Sequence, residues 1–248
     1  MSGSSVVFGF HAVTARLRHR PDSVQEILLD AQRRDPRIRK LVAAAAARGV
    51  KVQAAAPGRL DEIAGGGRHQ GVLAFVSAVD SAATLDSVLK SARGPALLLV
   101  LDGVQDPHNL GACLRVADAM GVDALVAPKD RAVGITASVE KVASGAAQTV
   151  PYLMVTNLAR ALREMQEQGL WVVGATQGAP QALAGCDLSR PVALVLGAEG
   201  EGLRRLTAET CDELVAIPMT GTVESLNVSV AAGICLYEAR RQRLASRW

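Results

Sequence analysis

Aromatic residues are scarce: three Phe, two Tyr and two Trp in a chain of 248 residues. Only Phe8, Phe10 and Phe75 precede residue 95. Base stacking on aromatic platforms in the first part is therefore expected to be minor, and nucleic-acid contact there should lean on shape and phosphates. Cysteine is sparse too. Cys113, Cys186, Cys211 and Cys235 make no C-x-x-C pair and no zinc-ligand spacing, which leaves reduced thiols in a cytosolic protein. Uninterrupted apolar runs never approach the ~18 residues of a membrane span; the best, residues 95–101 and 192–196, have the length of buried strands. The N-terminus lacks a charged start followed by an apolar stretch and cleavage site, so no secretory signal is expected.

What is present describes a folded α/β protein. The composition is 49% hydrophobic and 21% charged, enough for a real core in one or two modest domains. The net charge of +3 divides unevenly: residues 1–94 carry +6 and residues 95–248 carry −3. A basic first part suggests that it meets a polyanion. Only five of the 27 basic residues are lysine, and the bias to arginine suits bidentate phosphate contact.

Strand-like runs alternate with helical patterns. In the first part, strands are expected at 26–29, 50–53 and 71–76, with helices at 37–47 and 59–64. Residues 78–94 are small and polar, with at most one or two helical turns, and read as a linker between domains at 1–77 and 95–248. The second part predicts strands at 96–102, 124–127, 170–175, 192–196 and 213–217. Helices are expected at 110–120, 138–146, 158–168, 203–209 and 226–244. Its strands are continuously apolar rather than alternating, the pattern of a parallel sheet covered on both faces.

Three loops follow strand ends and should gather on the carboxyl edge of such a sheet, where ligands bind. The first, Asp102–Arg115, places Asn109 at the expected helix N-cap and Arg115 within an otherwise apolar helix, where it needs a partner such as Asp106 or Asp118. The second, Gly197–Gly202, reads G-x-x-G-x-G rather than G-x-G-x-x-G and is followed by only one clear strand, so a nicotinamide enzyme is disfavoured. The third, 217–233, alternates Ser225, Asn227 and Ser229 with apolar residues before a helix.

The stretches D-P-H-N-L-G-A-C-L-R at 106–115, L-V-L-G-A-E-G-E-G at 194–202 and I-P-M-x-G-x-V-x-S-L-N-V-S-V-A at 217–231 resemble the three motifs of the SpoU branch of the SPOUT RNA methyltransferases. F-G-F-H-A-V at 8–13 and H-Q-G at 69–71 resemble the N-terminal substrate domain of the same branch. The resemblance implies a small ribosomal-protein-like RNA-binding domain and a SPOUT domain with a parallel sheet and a deep trefoil knot, an exception to the rule of unknotted chains. It implies S-adenosyl-L-methionine held near Thr176, Gly197, Ile217 and Leu226. It also implies a catalytic set of Asn109, Arg115, Glu199, Ser225 and Asn227, and a homodimer whose active sites are completed across the interface. The implied reaction is methylation of a guanosine 2′-hydroxyl in the peptidyl-transferase P-loop of 23S rRNA, free or in an assembling large ribosomal subunit. In the first domain, His11, Arg16, Arg18 and Arg20 are the expected RNA contacts. No metal is called for.

Two other readings stay open on the sequence. One keeps the chemistry and changes the substrate to tRNA; the other is a non-catalytic ribosome-assembly factor that retains the fold. The intact polar set argues against the second. His108, a histidine beside a proline in a loop, is read as a turn or substrate-contact residue rather than as a base.

Overall fold

A computed structural model describes residues 4–19, 21–66, 69–77 and 84–245. The chain forms two compact units, residues 1–82 with 144–149, and residues 83–143 with 150–248.

Unit 1 contains β1 (Ser4–Phe8), α1 (Phe10–His19), β2 (Val24–Asp30), α2 (Pro36–Ala46), β3 (Lys51–Ala55), α3 (Pro57–Ala64) and β4 (Val72–Ser77). Its sheet runs β1-β4-β2-β3, with β4 antiparallel to both neighbours and β2 parallel to β3. Helix α2 starts where the sequence dictates: the Asp35 carboxylate accepts the Arg37 N–H and Pro36 occupies the first helical position. The core joins Val7, Phe10, Val13 and Leu17 to Ile27, Leu29, Leu41 and Val72. The short, serine-containing β1 had no counterpart in the sequence expectation.

One expectation for α1 changes. Arg16 is buried rather than facing RNA: its guanidinium donates to Ser23 Oγ at 2.6 Å and to the backbone and side-chain oxygens of Gln148. A buried guanidinium requires such partners, and these occupy its fork. Arg18 is exposed. The His11 side chain and Arg20 lie outside what is described.

Unit 2 contains α4 (Leu85–Ser91), β5 (Leu97–Asp102), α5 (Pro107–Met120), β6 (Ala124–Pro128), α6 (Ala137–Ala143), β7 (Tyr152–Val155), α7 (Leu158–Glu167), β8 (Trp171–Ala175), β9 (Gln181–Ala182), β10 (Val192–Gly197), α8 (Arg205–Thr210), β11 (Glu213–Ala216) and α9 (Val228–Ala245). All seven strands are parallel, in the order β7-β6-β5-β10-β8-β11-β9. Every residue of β5 is buried, as a central strand covered on both faces requires.

The interdomain boundary differs from expectation. Residues 78–83 lie outside the described residues; Leu85–Ser91 is a helix of about two turns, as allowed for this stretch, opened by a reciprocal Thr84–Ser87 capping box. Val88 joins the core of unit 2, with Leu85, Leu89 and Ala92 packed around it. Further on, α6 stops at Ala143 instead of continuing to 146, because Ser144 and Gly145 both take positive φ. The next residues, through Thr149, belong to unit 1.

Candidate active site

The carboxyl ends of β8, β10 and β11 open onto a cavity of about 420 Å³, within the range of small-molecule sites. Thr176, Gly197, Ile217 and Leu226, the four expected cofactor contacts, all line it, together with Glu199 and Ser225. Leu196, Ile217, Leu226 and Val228 give it an apolar wall. Glu199, Glu201 and Glu224 give it acids, and among the described residues no lysine or arginine lines it.

The loop after β10 is shaped by close backbone approach. A Cβ on Gly197 would lie 2.0 Å from the Gly202 carbonyl, so only glycine fits. Gly202 donates its N–H back to Ala198 O, closing a tight turn with Gly200 and Gly202 at positive φ. The turn is anchored beneath by Asp102, the last residue of β5, whose side chain is fully buried. Its Oδ1 accepts from Arg204 Nε at 2.6 Å and its Oδ2 from the Arg204 backbone N–H at 3.1 Å. The sequence showed an acid ending an apolar strand, but nothing paired it with an arginine 102 residues away.

Beside the cavity, Asn227 caps α9 and joins three motifs. Its Oδ1 accepts the Ser229 backbone N–H at 2.9 Å and the Ser229 hydroxyl at 2.6 Å. The Nδ2 group donates to Asn109 Oδ1 at 2.8 Å and to Glu199 Oε1. These bonds use both amide hydrogens and fix which end of the amide faces which neighbour. Ser229 thereby joins the site as a residue the expected catalytic set left out. Asn109 is not the helix cap: Asp106 caps α5 by accepting the His108 N–H, and Asn109 sits three residues into the helix. That shift frees its side chain for Asn227.

Arg115 stands apart. It is exposed, is not among the cavity-lining residues, and forms no ion pair or hydrogen bond among the described residues, with Asp106 and Asp118 included. The apolar character of its neighbours comes from the buried side of α5, where Cys113, Leu114 and Ala117 lie. No group of three or more His, Cys, Asp and Glu that could hold a metal occurs among the described residues.

A parallel sheet with an acid-lined cavity at its carboxyl edge, beside an Asn–Glu–Asn cluster, is the arrangement to compare with known proteins. The SpoU rRNA methylase family matches residues 96–237, and the RNA 2′-O ribose methyltransferase substrate-binding family matches residues 6–82. The chain belongs to the SpoU rRNA methylase family. It is 61% identical to the 23S rRNA (guanosine-2′-O-)-methyltransferase RlmB of Ralstonia nicotianae, over 98% of both chains. The SpoU methyltransferase AviRb from Streptomyces viridochromogenes, solved in complex with the cofactor AdoMet, superposes with a TM-score of 0.75 at 25% identity, covering 98% of this chain and 92% of that one. The A. aeolicus TrmH/SpoU tRNA modifying enzyme matches less of it: TM-score 0.57 and 33% identity over 62% of this chain and 79% of that one.

Proposed function

We propose that this protein methylates the ribose 2′-hydroxyl of a guanosine in 23S rRNA, in the peptidyl-transferase P-loop, with S-adenosylmethionine as methyl donor. The observation that carries the reading is the cavity, whose three acids, with no basic residue beside them among the described residues, suit a cationic ligand, and whose apolar wall suits a flat base. The tight turn at Gly197 brings backbone to its edge, as close contact with such a ligand requires.

The cofactor, when bound, supplies an electrophilic sulfonium methyl that needs no further activation. The protein must therefore hold a ribose oxygen in line and ease the loss of one proton. Asn227 fixes Asn109 and Glu199 in place, and the Asn109 Nδ2, which has no partner among the described residues, is left to donate to the substrate. Arg115 acts as a phosphate clamp and stabilises the negative charge that develops on the oxygen. A guanidinium stays charged at neutral pH, so this role needs no deprotonated arginine.

Support for a homodimer with shared active sites comes from two features. Arg115 is exposed and unpaired, and α9 presents Val230, Ile234 and Tyr237 to solvent at spacings of four and three, one helical stripe. A trefoil knot around the cavity belongs to the same reading. In its favour, β10 enters the sheet between β5 and β8 before the chain crosses to β11 beyond β8. Unit 1 holds the rRNA, with exposed Arg18 on α1 and Arg34, Arg37, Arg39 and Lys40 at α2 as the basic groups it offers. The work takes place in the cytoplasm, on rRNA or an assembling subunit; among the described residues no helix is long and apolar enough to cross a membrane.

Mapping 2′-O-methyl groups on total rRNA and tRNA from cells with and without the gene tests this function. Loss of one guanosine mark in 23S rRNA is expected. Loss of a mark on tRNA alone would overturn the substrate, and no lost mark would favour the assembly factor.

A further inference from the structure

Unit 2 has a second cavity, of about 440 Å³, at the other edge of its sheet. It lies where β5, β6 and β10 begin, lined by Arg93, Pro95, Asp123, Ser189, Arg240 and Arg243 among others. The contrast with the first cavity is chemical: this one gathers three guanidinium groups and one carboxylate.

The four charged groups have different duties. Asp123 is committed to structure, its Oδ2 accepting the Leu97 N–H at 2.8 Å. Arg243 is committed too, and donates to the carbonyls of Pro95, Ala96, Leu188 and Arg190 at 2.7–3.1 Å. Burial holds its guanidinium below the usual arginine range; Asp123 opposes that and nearby Arg240 adds to it. Arg93 and Arg240 are exposed and make no ion pair or hydrogen bond among the described residues. The Arg240 guanidinium lies over Gly121, the left-handed cap of α5, within 3.7 Å of where a Cβ would stand. A cation beside a helix C-terminus gains from the helix dipole. That accounts for Arg240 alone and leaves unexplained why two free guanidinium groups border the same hollow as a third.

Two unpaired guanidinium forks at a cavity with an excess of positive charge match a phosphate group, which each can grip through two parallel N–H bonds. The six residues of β5 separate the two sheet edges by about 20 Å at ~3.3 Å per residue. A phosphate bound here therefore lies several nucleotides from the methylated ribose, on a flanking part of the substrate. We propose that this arginine-lined cavity is a second RNA contact on the catalytic unit, taking a backbone phosphate through Arg93 and Arg240. The inference rests on the reading of the protein as an RNA methyltransferase.

The test uses the full chain with Arg93→Ala, Arg240→Ala and both together, leaving the structural Arg243 intact. Affinity for a 23S rRNA transcript is measured from low to moderate KCl, beside cofactor affinity and thermal stability. Loss of one phosphate contact lowers the slope of log affinity against log salt by about 0.7–0.9, and that is the fall expected of the double variant. Arg93→Lys with Arg240→Lys should keep most of the slope, because the charge remains. Cofactor affinity should not move, and any loss of stability should be confined to the small helix-dipole contribution of Arg240, which the lysine variant retains. An unchanged slope in the double variant overturns the proposal. So does a double variant that loses binding of inorganic phosphate while its RNA slope stays intact, since the cavity would then serve a small phosphate compound. Gene deletion that removes no 2′-O-methyl mark from 23S rRNA would sink the proposed function instead.

Discussion

Asp102 and Arg204 anchor the glycine turn beside the candidate cavity: one arginine gives its guanidinium to one carboxylate oxygen and its backbone N–H to the other. The carboxylate ends β5, a strand buried along its whole length, while Arg204 lies two residues beyond Gly202 of the glycine turn. Arg204→Ala leaves a buried charge without its main partner, at a cost of about 2–3 kcal/mol. The turn then loses its anchor. A lower melting temperature and cofactor binding at least tenfold weaker by calorimetry are expected. Cofactor affinity equal to wild type would show that the turn holds its shape unaided.

Asn227→Asp replaces the amide donor with an oxygen facing Glu199, so attraction becomes repulsion. Asn109 loses its partner in the same change. Single-turnover methylation should drop by about a hundredfold or more, the scale set by losing one placed donor at a transition state. Cofactor binding should survive within a few-fold. Ser229→Ala, which removes one of two bonds to the Asn227 oxygen, should have a smaller effect in the same direction.

How much of this was legible depended on whether a local signal existed. The apolar strands β5 and β10 announced themselves by composition, and the glycine turn after β10 was visible as a site without a standard label. Thr176, Gly197, Ile217 and Leu226 line one cavity although they span fifty residues of sequence. By contrast, β1, β7 and the two-residue β9 are too short or too polar to register a period. Asp106 and Asn109 are both good caps, and only the structure shows that the helix begins at the earlier one. Arg16 looked like its exposed neighbour Arg18, because its partner Gln148 lies 132 residues on.

Arg115→Lys keeps the charge and loses the planar fork. Methylation should fall by orders of magnitude with the cofactor still bound; near-normal turnover would remove Arg115 from its central role. If the site is shared between subunits, mixing Arg115→Ala chains with Asn227→Ala chains should restore about a quarter of wild-type activity, the share of intact sites in a randomly paired dimer population. No recovery on mixing would place both residues in one subunit's site.

Tyr237 is 61% exposed in the apolar stripe of α9. Tyr237→Glu puts a charge where a dimer interface would be dry, so light scattering should report a monomer. An unchanged mass would direct attention to another face.

The four cysteine thiols are pushed from 9.0 up to about 12, chiefly by burial, with Glu213 adding at Cys186 and Asp212 and Asp102 adding at Cys211. The folded chain then holds protons that the unfolded chain releases above pH 9. Stability should be insensitive to these groups below pH 9 and decline as pH rises toward 12. Chemical denaturation at pH 8, 9.5 and 10.5 checks the sign. At pH 8 a thiol reagent should label the native chain far more slowly than the denatured one.

Gene-fusion logic treats an RNA-reading module and a catalytic module as beads on a string, exchangeable by one join in the linker. Here residues 144–149, coded within the catalytic half, belong to unit 1: Gly145 lies against Ala12, and Gln148 accepts from buried Arg16. A chimera that takes another protein's first domain inherits the wrong six residues with this catalytic half. Swapping specificity between such enzymes calls for a paired exchange at two places in the gene, and the two halves are bound to change together over evolution.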